Sequence, residues 1–409
     1  MIDHFEVHAG WLNDPERIGS CYIERSRGNE VISFSFDESW IARHPGFVMD
    51  PDITAALGRQ YPPSDKPCFG FLSDTAPDRW GRKLMMRREA IEAKEAGRPR
   101  RTLMESDYIL GVSDMGRIGA LRYFYPEYGS YLSDRSTMAT PPIEKIRDLE
   151  NASLQMEDKD DPQEKWVRNL VDPGSSLGGA RPKANVIDEN GDLWIAKFPS
   201  KNDDTDVGAW EMTVHELAKM CGLNVPDARV MKLSSYGSTY FSKRFDRNRN
   251  LRIHFASAMT MLGLTDGSEE DISYVDLAAV IEEICVHPEA DLYELWDRMV
   301  FNILISNTDD HLRNHGFILC ESGWMLSPGY DINPSIDKTE LSLAILNGHE
   351  KDVSEAIEAA SFFRLTIEEA NYHVKNMKDM IHKNWRLVAS RFGISRSEQD
   401  HMADAFKEG

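Results

Sequence analysis

Ile32, Phe34 and Phe36 alternate with Val31, Ser33 and Ser35, the two-residue period of a strand with one buried face, so a strand is predicted over 30–36. A charged helix is predicted from about 78 to 96, and turn and breaker residues then make 133–142 a linker. The acidic run 154–165 is expected to be exposed rather than core. From about Val171 strands dominate: 184–187 and 193–198 flank Asp188-Glu189-Asn190-Gly191, whose Asn-Gly step signals a turn. A helix follows over 209–222, where Trp210, Val214, Leu217, Ala218 and Cys221 form one stripe and Gly222 ends it. Strands resume at 228–233 and 239–245. Beyond about Arg252 the chain reads as helical, with helices over 274–286 and 288–306, the second opened by Pro288. A hairpin is expected at 316–326 around Glu321-Ser322-Gly323, then one long amphipathic helix, or two, over 366–392. No repeat of solenoid period is visible.

A chain of 409 residues exceeds one compact core, and the regions above set three domains at 1–140, 141–248 and 249–409. With 41% hydrophobic and 28% charged residues it reads as folded rather than disordered. The balance of 47 basic against 68 acidic residues, −21 overall, argues against a nucleic-acid binder acting alone and suits a basic partner. The one cationic island is 79–101, which Glu89, Glu92 and Glu95 partly offset. It reads as a solvated helix face, with a partner or DNA-backbone contact the minority reading. The 5 cysteines include no Cys-x-x-Cys pair, so reduced thiols are expected. The first residues are charged throughout, and no apolar run approaches the ~20 residues of a membrane span. A cytoplasmic location away from membranes is the expectation.

Asp309 and Asn314 stand five apart, and Asp331 follows after the predicted hairpin. Protein kinases space a proton-accepting Asp and a Mg²⁺-binding Asn in this way, with a second metal-binding Asp downstream. The flanking letters differ: Asn307-Thr308-Asp309 replaces His-Arg-Asp, and Asp331-Ile332-Asn333 replaces Asp-Phe-Gly. Any one of the three could be an ordinary cap or turn residue, but three at this spacing after a long apolar helix weaken that reading. Asp310 competes as the base and lacks the offset to Asn314. His311 and His315 have the spacing of a zinc helix, yet no Glu follows the first and a metalloprotease is not supported.

Pro173-Gly174-Ser175-Ser176-Leu177-Gly178-Gly179-Ala180 suits a loop whose backbone amides approach phosphates, although Gly-Ser turns are common and a Walker ending is missing. Lys197, on the otherwise apolar Trp194-Ile195-Ala196-Lys197-Phe198, matches a phosphate-neutralising strand lysine or an edge lysine that deters aggregation. Glu211 is its natural partner and Glu216 the alternative. Phe241-Ser242-Lys243-Arg244-Phe245-Asp246-Arg247 reads either as a hinge that binds adenine or as a structural cluster of Arg244, Asp246 and Arg247.

Taken in order, 176–183, 194–199, Glu211 with 222–226, 243–247, 307–314 and 330–335 resemble the HipA family of bacterial toxin kinases, and 69–82 resembles that family's N-terminal subdomain. Thr75-Ala76-Pro77-Asp78 departs there from the usual Leu-Pro-Glu-Gly type segment. The resemblance implies an α+β, two-lobed, kinase-like fold related to lipid kinases, with mixed N-terminal subdomains and an all-helical C-terminal lobe. It implies a serine/threonine kinase using ATP and Mg²⁺ that phosphorylates a host protein, in several members an aminoacyl-tRNA synthetase, and so arrests growth. It further implies a small helix-turn-helix, HipB-like antitoxin through which DNA is contacted. By the same resemblance Asp309 is the base, and Asn314 and Asp331 hold metal and nucleotide. Ser176, Gly178, Gly179, Ala180, Lys197, Lys243 and Phe245 take ATP between the lobes, and Ser176, with Ser175 adjacent, is autophosphorylated. A catalytically silent binding module or corepressor, and a kinase for a lipid or small molecule, are the competing readings.

Overall fold

The computed structural model describes residues 3–132, 140–157, 170, 181–249, 251–268 and 272–407. The chain forms two compact units, Met1–Lys201 with Asp246–Ala256, and Asn202–Phe245 with Ser257–Gly409. The stretch 141–248, read as one lobe from sequence, is therefore divided between them.

In the first unit an antiparallel sheet carries β1 (His4–Ala9), β2 (Glu16–Ser26), β3 (Asn29–Phe36), β4 (Leu121–Tyr125) and β5 (Ser130–Tyr131) in the order β3-β2-β1-β4-β5. The alternation read from sequence holds for part of β3: Ile32 and Phe34 are fully buried and Val31 is exposed, whereas Ser33 on the second face is fully buried as well. Ile32 and Phe34 join Phe5, Val7, Cys21 and Phe71 in one core.

Helix α1 (Arg79–Glu95) starts where a cap is available, because the Asp78 carboxylate accepts from Gly81 N at 2.8 Å. Its Glu89 is buried and accepts from Arg98 Nη1 at 2.6 Å and from Arg101 N at 3.0 Å. The Arg98 hydrogen bond, foremost, holds the Glu89 carboxyl at about 2 against an ordinary 4.5. A depressed carboxyl stabilises the fold above its unfolded value and loses that contribution as pH falls through the folded one. Glu89→Gln is expected to lower stability by about 1–2 kcal/mol at pH 7, after allowance for solvent screening of the exposed guanidiniums. The gap from wild type should close between pH 4.5 and 2 in urea melts followed by circular dichroism.

Helix α2 (Ile146–Glu157) corrects the expectation that the acidic run is exposed from residue 154 onward. Leu154 and Met156 are buried, because Ile146, Leu149, Ser153 and Met156 fall on one helical face despite the surrounding acidic residues. Strands β6 (Lys183–Ile187) and β7 (Leu193–Lys197) form the expected hairpin. In its turn the Asp188 carboxylate accepts from Asn190 N and Asp192 N, both at 2.9 Å, and Gly191 adopts φ +83°.

The second unit opens with α3 (Val207–Cys221), whose N-cap is Asp206 and which ends at Gly222 with φ +92°. Trp210, Val214, Leu217 and Ala218 are buried as the stripe predicts. Gly208 lets this helix meet strand backbone: a Cβ there would lie 2.1 Å from Ser238 O. Strands β8 (Ala228–Lys232) and β9 (Ser238–Lys243) pair antiparallel. Helix α4 (Tyr274–Ile284) starts in a Ser273/Asp276 capping box, and α5 (Pro288–Leu304) follows with proline in its first turn. After the hairpin of β10 (Gly316–Cys320) and β11 (Gly323–Leu326), the stretch predicted over 366–392 is one continuous helix, α6 (Ile367–Arg391), with shorter helical segments on either side of it. Among the described residues no helix is long and apolar enough to cross a membrane.

Candidate active site

The segment leaving α5 turns sharply. Ser306 takes φ +54°, and Asn307 folds back to donate N–H to Asn302 O at 2.8 Å and Nδ2 to Asn302 Oδ1 at 3.1 Å. Residues Leu312–Asn314 form one 3-10 turn. This turn gives the five-residue spacing a physical meaning, because it carries the Asn314 amide back to donate Nδ2 to Asp309 O at 2.9 Å. With its nitrogen committed to a carbonyl, Asn314 has Oδ1 as its remaining polar atom. The Asp309 carboxylate is 75% exposed and lies 3.6 Å from Lys338 Nζ.

The two adjacent aspartates part company here. Asp310 is buried, accepting from Tyr274 OH and from His315 Nε2 at 3.0 Å. Burial pushes its carboxyl up, but His315 beside it, with hydrogen bonds from His315 and Tyr274, outweighs burial and holds it below the ordinary carboxylate value. His315 is thus committed to Asp310, and among the described residues no group of three His, Cys, Asp or Glu side chains could hold a metal ion.

Asp331 is brought back to this loop by its neighbours. Tyr330 OH donates to Arg313 O at 2.8 Å, and Ser335 N donates to Ser306 O at 3.1 Å. Asp331 itself takes φ +59°, and its Oδ1 accepts from Asn333 Nδ2 at 3.3 Å. The Phe245 ring lies 5.7 Å from that of Tyr330, which joins the predicted adenine-side residue to the Asp331 segment. Lys243 ends β9, its backbone N–H bonded to Asp227 O at 2.8 Å.

Tyr240, absent from the sequence reading, is fully buried on β9, and burial, then Glu211 and Asp331, push its phenol well above the ordinary value. Glu211 and Asp331, 120 positions apart in sequence, thus both act electrostatically on one buried hydroxyl. Only the folded chain shows this.

In the first unit Lys197 pairs in register with Lys183 across β6 and β7. Lys183 is buried, with Nζ 3.7 Å from Asp78, whose carboxyl burial lifts to about 6 against the pull of that lysine. Trp80 Nε1 donates to Lys183 O at 3.1 Å. The departure at 75–78 thus has a structural use, because Asp78 both caps α1 and meets the lysine of β6. For Asp246 and Arg247 the structural alternative is the one observed: Arg247 Nη1 lies 2.9 Å from Asp246 Oδ2 and 2.8 Å from Gly119 O. Ser175, Ser176, Gly178, Gly179 and Ala180 lie outside the described residues.

These elements define an α+β, kinase-like fold. A chain of the Shewanella oneidensis MR-1 toxin–antitoxin complex of HipA, HipB and operator DNA shares it, with a TM-score of 0.70 and 18% identity, covering 99% of this chain and 95% of that one. The HipA-like C-terminal domain family matches residues 175–389, more than half of the sequence, and the chain belongs to that family. The serine/threonine-protein kinase toxin HipA of Shewanella oneidensis is 25% identical over 234 residues, 48% of this chain and 53% of the relative. The Sinorhizobium fredii protein Y4mE is 26% identical over 192 residues, 41% of this chain and 44% of the relative. The chain spans about half the length of these curated relatives.

Proposed function

We propose that the chain is a serine/threonine protein kinase that uses ATP and Mg²⁺, arrests growth by phosphorylating a host protein, and is held in check by a HipB-like helix-turn-helix antitoxin. The observation that carries this reading is the bond from Asn314 Nδ2 to Asp309 O, which closes the loop while leaving the Asp309 carboxylate exposed. In that role Asp309 accepts the proton of the incoming hydroxyl as its oxygen attacks the γ-phosphorus. The new O–P bond forms, the bond to the β–γ bridging oxygen breaks, and ADP leaves. The amide oxygen of Asn314 and the carboxylate of Asp331 are the oxygen donors a hard cation takes, and they would hold Mg²⁺. The ion would neutralise charge on the transferring phosphoryl group.

The nucleotide roles read from the sequence for Lys197, Lys243, Phe245, Ser176, Gly178, Gly179 and Ala180 belong to the same proposal. So does self-phosphorylation of Ser176 or Ser175, which would place about −2 charge beside the phosphate loop and disfavour ATP. The relative of known structure is described in complex with HipB and operator DNA. With 68 acidic against 47 basic residues, this chain suits DNA contact through such a partner rather than directly.

The test is transfer of labelled γ-phosphate with Mg²⁺ by the purified chain, alone and with host lysate, followed by phosphosite mapping. Label on serine or threonine, of a lysate protein or of 175–176, is the expected result. ATP binding without any label would instead make the chain a silent binding module.

A further inference from the structure

Beneath the loop that carries Asp309 and Asn314 runs a chain of buried polar side chains to which the phosphoryl transfer above assigns no task. Asn307 Nδ2 donates to Asn302 Oδ1 at 3.1 Å, Asn302 Nδ2 donates to Tyr274 OH at 3.1 Å, and Tyr274 OH donates to Asp310 Oδ2. His315 Nε2 also donates to the same Asp310 oxygen at 3.0 Å, and the Tyr274 and His315 rings meet edge to face at 5.5 Å. Every donor points toward one carboxylate, so the bonds polarise one another in the same sense. None of the five residues is more than 5% exposed.

The anchoring points are what give this arrangement a use. Asn307 precedes Asp309 by two positions, Asp310 follows it directly, and His315 follows Asn314 directly. Tyr274 is the first residue of α4, and Asn302 lies in the last turn of α5. One buried anion therefore ties two helices to both sides of the loop. A well-packed apolar floor could hold such a loop as stably, since burying a charge is costly even when it is paired. What the directional bonds add is a single backbone geometry at the two residues that carry the chemistry.

We infer that Tyr274, Asp310 and His315 are positioning residues for the proposed transfer, fixing the backbone from which the Asp309 carboxylate and the Asn314 amide project. The inference rests on the kinase reading for its rate prediction and on the loop geometry alone for its structural one. Transfer is sensitive to displacements of about 1 Å, which cost up to about 10²-fold in rate. Tyr274→Phe removes one donor, keeps the ring and leaves the His315 bond to Asp310 in place.

The decisive experiment combines steady-state kinetics with amide hydrogen exchange on wild type, Tyr274→Phe, His315→Ala and His315→Gln. Tyr274→Phe is expected to fold, to lower kcat about tenfold with KM for ATP unchanged, and to speed exchange within 306–316 only. His315→Gln keeps a donor nitrogen for Asp310 and should recover most of the rate that His315→Ala loses. A folded Tyr274→Phe with wild-type kcat and wild-type exchange at 306–316 would overturn the inference, as would faster exchange spread evenly over the helical unit. If wild type itself transfers no phosphate, the kinase reading fails separately. Exchange then decides alone: loosening confined to 306–316 supports the coupling, and no change there refutes it.

Discussion

Asp309→Asn is expected to lower the rate of phosphoryl transfer by about 10²–10⁴-fold while leaving the melting temperature and ATP affinity near wild type. The carboxylate is 75% exposed, and it pairs at 3.6 Å with Lys338, itself 61% exposed. An ion pair that open contributes little to stability, so the substitution removes proton acceptance and almost nothing else. The loop stays closed, because Asn314 bonds to the carbonyl of residue 309 and not to its side chain. Labelled-ATP kinetics with calorimetry in parallel check the split. A rate within tenfold of wild type would remove Asp309 from the role of base and leave positioning alone to explain turnover.

Asp331→Asn should produce the second large loss, and one of different character. An amide replaces a charged oxygen ligand, so the Mg²⁺ concentration giving half-maximal rate should rise by roughly tenfold or more, with partial recovery at high Mg²⁺. Binding of ATP measured calorimetrically should weaken in the presence of Mg²⁺ and stay constant in EDTA. Asparagine is the right probe because it tolerates the φ of +59° at this position, whereas alanine would add backbone strain to the loss of the ligand. An unchanged Mg²⁺ midpoint would take Asp331 out of the metal site.

Much of this was legible in local pattern. The spacing of Asp309 and Asn314 pointed to a loop, and it is a loop whose two named residues touch. Gly222 ends its helix as the short-range C-cap rule requires, and the charged helix predicted from about 78 begins at Arg79. The tail helix shows in its period, whereas its continuity over 25 residues does not follow from the pattern alone. What escaped depends on partners far away in sequence. Asp78 meets Lys183 across 105 positions, and Tyr274 meets Asp310 across 36. No single-window reading ranks a lone tyrosine at a helix start as the floor of a functional loop. Leu154 and Met156 failed for another reason: acidic neighbours dominated the local composition, whereas burial followed the helical face. Asp310 could be set below Asp309 only by its lack of an offset to Asn314; the fold gave the stronger reason by burying it.

Ser306 and Asp331 share a property that reaches beyond the reaction itself. Both are non-glycine residues in left-handed backbone, φ +54° and +59°, a conformation glycine enters freely and serine or aspartate, aspartate the more easily, only at some cost. Thermal selection applied to this protein would therefore reward glycine at residue 331, where the proposed metal ligand stands. Heat-tolerant descendants would emerge readily and fall silent. A breeding scheme for a sturdier version has to screen for turnover in the same round, because at this bend durability and chemistry pull the sequence in opposite directions.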